Sequence, residues 1–382
     1  MMELYPGSRE DFKEQLFHSP DSRYREAPFW AWNCELDREE LIEQIGIFHE
    51  MGMGGFFPHS RTGMATEYLS DEFMELVKTC VKTAEERGML CYLYDEDRWP
   101  SGSAGGLVTR ECRYRARKML ISPEPLAGFE ESRAVFEKKE SEHTPGEPCM
   151  LRGYSITSFR VQLCDGYLEP YEPLPDPNAR GDGIWYVYLT LAEETPWHNG
   201  QTYIDTLNKA AVDRFKELTY ERYAETMGNE FGRLIPAIFT DEPQFTHKES
   251  LPFPESQEEI SLTYTNDFDD TFYARYGYHI LEKLPELVWN RRDGVLSQAR
   301  YHYHDHVCDR FVEAFSDNLG QWCEQHGIML TGHAFWEDTL FLQTKAVGET
   351  MRFYRGFQLP GVDMLRDDHY FTTLKQCQSV AH

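Results

Sequence analysis

Two short stretches hold the densest groups of residues able to do chemistry: IFTDEPQF at 238–245 and YDEDRWPSGSAGG at 94–106. In the first, Asp241 and Glu242 follow directly on an apolar run that Pro243 ends. A carboxyl group emerging there is partly desolvated and stands beside a second acid. Both conditions raise a carboxyl pKa, which is how a general acid stays protonated near neutral pH. The plainer reading is an acidic loop or helix start. The second stretch sets three acids before a tryptophan and a glycine-rich turn. It reads as a purely structural turn, or as the wall of a sugar pocket. In the latter, Asp95 and Glu96 accept hydroxyl hydrogen bonds and Trp99 offers a stacking face. Its glycine-rich backbone could also cradle a phosphate. Against that, it matches neither GxxxxGK[ST] nor GxGxxG, and the acids ahead of it repel an anion. Asp97 is expected to face solvent or to pair with Arg98.

Further candidates follow other apolar runs. TGHAFWED at 331–338 supplies His333, suited to a substrate hydroxyl or to orienting a carboxylate, and Glu337 as a second carboxylate. Its alternative is a helix start in which Glu337 and Asp338 favour the macrodipole. PHSR at 58–61 brings His59 and Arg61, and Asn33 and Asp363 stand after two more runs. In YHYHDHVCD, at 301–309, His302, His306 and Asp309 have zinc-compatible helical spacing. HExxH is absent, so a packed or solvated helix face is the favoured reading. No EF-hand loop, GxSxG elbow or catalytic-cysteine motif occurs.

These residues need a scaffold that gathers them. Apolar runs alternate with helical periodicity three times over 1–120; Leu41, Ile45 and Phe48 recur at helical spacing behind an N-cap at Asp37. Continuous apolar runs are what a parallel sheet buried on both faces requires. The alternation breaks over 121–205, which reads as a β-rich insertion. It resumes over 206–382 with strands four to six, around a mostly helical insertion at 246–297. Polar residues at the carboxyl ends of six strands fit a (β/α)8 TIM-barrel type better than an open doubly wound sheet. Six of eight units are counted, so the expectation is an incomplete barrel, truncated after His382.

Composition bounds the partners. A formal net charge of −27 repels phosphate backbones, so nucleic acid is excluded as a partner. Aromatic residues make up 14% of the chain, and their polar-tipped faces suit hydroxyl-rich ligands such as carbohydrates. No apolar run is long enough to span a membrane, and the N-terminal segment has no secretory-signal pattern. Nine scattered cysteines without CxxC pairs predict free thiols in a reducing, cytoplasmic setting rather than a disulfide framework.

PFWAWN, GMGGFFPHSR, YLYDEDRWPSGSAGG, IFTDEPQF, TGHAFWED, LPGVDML and KQCQSVAH together resemble the catalytic barrel of glycoside hydrolase family 106, the α-L-rhamnosidases. The match runs over 28–382, interrupted at 121–205 and 246–292. The resemblance implies a barrel enzyme that cleaves glycosidic bonds by inversion with two carboxylates, with calcium (Ca2+) assisting sugar binding. Glu242 matches the family's general acid. The family's general base would fall on a strand beyond KQCQSVAH, which leaves Glu337 as the in-chain substitute. Asn33, His59, Arg61, Asp95, Glu96, Trp99, Asp241, His333 and Asp363 are the expected sugar-binding residues. Two rivals stand beside the hydrolase: a non-catalytic carbohydrate-binding barrel or inactive fragment, and a phosphosugar enzyme using the SGSAGG turn.

Overall fold

The computed structural model describes residues 13–174, 176–177, 179–292, 294–364 and 371–381. Its frame is an arc of parallel strands that follow one another in space as in sequence. β1 (Phe29–Trp32) pairs with β2 (Gly55–Ser60), and β2 with β3 (Leu90–Cys91). After the break at Tyr92 the same run continues as β4 (Leu93–Tyr94), which pairs onward with a later strand. The intervening chain forms β5 (Arg117–Ser122), β6 (Gly153–Arg160), the small hairpin β7 (Leu163–Cys164) and β8 (Tyr167–Leu168), β9 (Glu172–Leu174) and β10 (Ile184–Leu191). The arc resumes with β11 (Ala237–Asp241). Then come β12 (Ile260–Thr263), β13 (Met329–His333) and β14 (Leu359–Pro360). β4, β11, β13 and β14 pair in parallel, with Asp241 opposite His333 and Gly332 opposite Pro360. All the carboxyl ends of the arc therefore share one rim. Among the described residues β14 does not pair with β1, so the structure is an α/β arc rather than a demonstrated closed barrel.

Local sequence accounts for these elements. The helix Arg38–Glu50 begins where Asp37 accepts the Glu40 N–H at 2.9 Å. It buries Leu41 and Ile45, and Phe48 meets the edge of Trp30. Ser70 caps the helix Asp71–Glu86 in the same way, and Gly88, in the left-handed region at φ 66°, turns the chain into β3. The last helix, Phe371–Ala381, lies where KQCQSVAH predicts one. The expected sixth strand over 357–365 shortens to β14, and position 365 lies outside the described residues.

One expectation is refined and one corrected. The regular elements of the excursion over 246–297 are mostly helical, as expected, but not only so, because β12 joins the antiparallel sheet β12-β5-β10-β6-β9, with Leu262 opposite Met119. Both excursions from the arc thus build one sheet. β12 escapes a sequence reading because ISLT is too short to show a period. The cysteines are not all free either: Cys112 and Cys149 form a disulfide, a single cross-link across chain positions with no CxxC signature. Cys80, Cys91, Cys308 and Cys323 are buried free thiols, as expected. Among the described residues no helix is long and apolar enough to cross a membrane.

The tightest point of the arc is Gly332, where β13 crosses β11. Its φ is 135°, and a Cβ there would lie 1.9 Å from the Thr240 carbonyl oxygen. Gly332→Ala is expected to lower stability by about 2–4 kcal/mol. Urea denaturation should show this as a lower midpoint at unchanged slope.

Candidate active site

Five of the predicted residues converge where β11 and β13 end. Asp241 accepts the Tyr94 hydroxyl at 2.7 Å, and its carboxylate lies 3.2 Å from His333 Nε2 and 3.7 Å from His59 Nε2. Burial pushes Asp241 up, yet the contacts from His333, His59 and Tyr94 outweigh it and hold the carboxyl well below the usual range. Glu242, the next residue, goes the other way. Burial, then the Asp241 charge, push it up to about 7, with Asp363 and Glu337 adding to the rise against the opposing pull of His333. Neighbouring acids driven in opposite directions are the electrostatic pattern of an acid paired with a fixed charge. His333 is raised above its usual value because Asp241 outweighs its burial, whereas burial lowers His59. His333 Nε2 is buried without a well-aligned hydrogen bond, so its 3.2 Å approach to Asp241 is an electrostatic contact rather than a directional one. The same nitrogen lies 4.0 Å from Glu242 and 3.9 Å from Asp363.

Backbone strain marks the same rim. Glu242 at φ 48° and Trp336 at φ 51° occupy the left-handed region without being glycine. Such conformations persist where the surroundings fix them, and they concentrate at functional sites. Glu337, following Trp336, is buried; Tyr354 donates to one of its oxygens and the Asp363 N–H to the other at 3.3 Å. Burial pushes Glu337 up to about 7, against the Tyr354 hydrogen bond.

The YDEDRWPSGSAGG segment behaves differently from its expected role. Glu96 is fully enclosed; one oxygen accepts the N–H groups of Gly102, Ser103 and Ala104, and the other those of Asp97 and Gly105. The loop is an anion-binding nest, but its anion is its own glutamate. That removes Glu96 as a sugar acceptor and fills the place a phosphate would take. Burial pushes its carboxyl up to about 8 against these hydrogen bonds, yet five N–H donors converge on its two oxygens, an arrangement that suits a carboxylate. Asp95 is also sealed, accepting from Ser101 Oγ at 2.5 Å and Tyr220 at 2.8 Å, and is likewise corrected from substrate contact to internal strut. Tyr220 reaches it from a π turn, Glu217–Glu221, in the helical run after position 209. Trp99 is half-buried; the Arg61 guanidinium sits 4.4 Å from its ring centre and Trp197 meets its edge. The stacking face expected of Trp99 is thus taken by Arg61, itself a predicted sugar ligand. Asp97 pairs with Arg98 at 2.7 Å. Asn33 is exposed at the end of β1.

Several contributors carry no sequence signal. Tyr220 and Tyr354 act through single hydroxyls and belong to no motif, and Tyr94, though it opens YDEDRWPSGSAGG, acts through its hydroxyl on Asp241 of another strand. His247, stacked 5.5 Å from Phe335, tilted 4.6 Å from Trp336 and bonded to Gln244, adds an aromatic group against the 335–336 turn. The zinc-like helix spacing resolves into packing: His302 bonds Tyr278, His306 bonds Thr271, and Asp309 pairs with Arg352 and Arg275.

Glu242, His333 and Asp363 each bring one ligand atom within 4.8 Å of the others. Calcium takes about six to eight oxygen ligands. This trio offers two carboxylates and an imidazole that Asp241 draws toward the protonated form, which cannot ligate. It does not fit calcium, and no step below is routed through a metal.

The strands and the cluster together define an α/β protein of parallel strands with a carboxylate–histidine site on their carboxyl rim. The solved structure of a rhamnosidase from Novosphingobium sp. PP1Y is similar, with a TM-score of 0.61 and 12% identity, over 98% of this chain and 52% of that one. The likeness is one of fold, and this chain spans about half the length of that protein. No protein-family model matches the chain, and no curated protein matches it in sequence.

Glu96→Gln replaces an acceptor by a donor against at least two N–H groups. It is expected to cost about 2–3 kcal/mol and to expose 97–106 to protease, measured by denaturation and limited proteolysis.

Proposed function

We propose that the chain carries a glycoside-hydrolase site of the rhamnosidase kind, on a strand arc that forms six staves of a (β/α)8 barrel. The observation that carries this reading is the divergence of Asp241 and Glu242. Asp241 stays charged between two histidines, while Glu242, 18% exposed in its side chain, is pushed up to about 7. Glu242 then keeps its proton in a good part of the molecules near neutral pH and faces the rim, as a general acid must. In the proposed reaction Glu242 gives its proton to the leaving glycosidic oxygen as the bond to the anomeric carbon breaks. A second carboxylate takes a proton from the water that attacks that carbon from the opposite face. His333 and Asp241 hold the charge around Glu242 and offer contacts to ring hydroxyls, with His59 behind them.

Distance decides against one partner. An inverting pair stands about 6.5–9.5 Å apart to admit a water, and Asp363 brings an oxygen within 4.8 Å of Glu242. Asp363 is therefore read as a charge neighbour of the acid. Glu337 is the second carboxylate of this proposal, poised near neutral and held by Tyr354. The substrate class is an α-L-rhamnoside or a similar sugar, a choice supported by the solved neighbour's name and by the carboxylates and histidines of the rim, which can hydrogen-bond sugar hydroxyls.

One observation favours a non-catalytic sugar-binding surface instead: both Glu337 oxygens are already engaged. The two readings separate by mutation. Glu242→Gln is expected to cut turnover of aryl α-L-rhamnosides by about 100-fold or more while calorimetry shows rhamnose binding retained. Wild-type protein that binds the sugar but never cleaves it would select the binding surface. The acid must be protonated and the base ionised, and both carboxyls lie at about 7. The rate should therefore rise and fall around neutral pH, and Glu242→Gln should abolish the alkaline fall in whatever activity remains.

A further inference from the structure

Far along the chain from the rim residues, Cys112, Cys149 and His143 place two sulfurs and a ring nitrogen within 4.8 Å of one another. Cys112 is buried in the tight turn Cys112–Tyr114 that leads into β5. His143 and Cys149 are half-buried on the loop that follows the helix Arg133–Ser141. The loop is tied back to the turn by the Gly146 N–H, which donates to the Arg110 carbonyl at 3.3 Å.

A disulfide joins the two cysteines but gives no role to the histidine. His143 Nε2 lies 3.1 Å from the Glu147 carbonyl oxygen. A carbonyl oxygen only accepts, so Nε2 bears the proton and the neutral ring leaves Nδ1 as a bare lone pair. That Nδ1 is buried and has no hydrogen-bond partner. Leaving a buried acceptor unsatisfied costs free energy unless something else meets it. An imidazole fixed by a backbone carbonyl on one nitrogen, with the other unpartnered and the ring beside two sulfurs, is the outer-shell arrangement of a metal ligand. Two thiolates and one imidazole select zinc over calcium or magnesium. Zinc–ligand bonds of about 2.0–2.3 Å put tetrahedral ligands roughly 3.3–3.8 Å apart. The observed cluster already lies within 4.8 Å, so the loop needs little movement.

We propose that the reduced chain binds one zinc ion through Cys112 Sγ, Cys149 Sγ and His143 Nδ1, and that the disulfide is the metal-free, oxidised form of the same site. A dithiol reductant cleaves the S–S bond by exchange, giving two protein thiols and a cyclic disulfide. Zinc then forms two Zn–S bonds and one Zn–N bond, and two protons leave to solvent. A water completes the fourth position. In either state the site fastens the 142–149 loop to the root of the antiparallel sheet.

The test uses the full chain, reduced with a dithiol under anaerobic conditions and freed of it by gel filtration. Zinc content is then compared with that of the oxidised chain, which accounts for any ion held by the rim carboxylates. The expected result is about one additional equivalent of zinc in the reduced chain. Cobalt in its place should give a near-ultraviolet thiolate charge-transfer band that is lost in Cys112→Ser/Cys149→Ser. His143→Gln should weaken zinc affinity by about tenfold or more with both thiols still present. Equal zinc in both redox states, or a band that survives the double substitution, overturns the proposal. Should the serine variant not fold, zinc must slow alkylation of Cys112 and Cys149 in the reduced wild-type chain; unchanged alkylation also overturns it.

Discussion

The rim is held in place by one carboxylate that touches no substrate. Glu96 gathers five N–H groups of the loop after β4, and the gathered loop delivers Ser101 to the end of β11. Ser101 donates to Asp95 and accepts the Asp241 N–H at 2.7 Å, while its own N–H donates to the Asp241 carbonyl. The backbone at Asp241 is thus clamped from a neighbouring strand just before the chain enters the left-handed turn at Glu242. A neutral side chain at position 96 could accept but would not draw five dipoles together as strongly; the charge makes the loop a rigid buttress. That buttress, with the pairing of Asp241 to β13, fixes the turn that separates the low-pKa acid from the high-pKa one.

That separation shows how adjacent carboxyls on one strand can serve different ends. Alternation along β11 turns Asp241 toward His59, Tyr94 and His333, where hydrogen-bond donors and positive charge stabilise its anion. Glu242 meets burial and like charge, which together push its carboxyl up to about 7. The strained turn converts one residue of chain length into two environments. His333 mediates between them, charged enough to hold Asp241 and close enough to moderate Glu242.

Much of the frame was legible in the sequence because parallel strands buried on both faces leave unbroken apolar runs, and GGFFPHS, CYLYDE and IFTDE are such runs; PFWAWN reads the same way, although β1 leaves Phe29 and Ala31 exposed. The convergence of Asp241, Glu242, His333 and His59 follows from the rule that strand carboxyl ends meet. The role of Glu96 was not legible. Three consecutive acids look alike in a sequence, and only the path of the following backbone shows that one of them faces inward to the nest. Trp99 misled for a related reason, since Arg61 reaches it from another strand. Tyr220 and Tyr354 were invisible because a lone hydroxyl needs no motif, and β12 because ISLT is short and its partner, β5, stands on the other side of β11 in the chain.

That last pairing orders events in time. β5 leaves the ribosome long before β12, with β11 between them, so the antiparallel sheet lacks an edge partner while the frame is still being made. Non-local pairing of this kind is slow to form, and an unpaired strand edge is open to other chains. The exposed interval falls on β5, whose Met119 and Ile121 are buried only once the sheet is assembled. The cross-link from Cys112, just ahead of β5, to Cys149 draws only on residues already synthesised at that point. It can hold the root of the sheet through the wait.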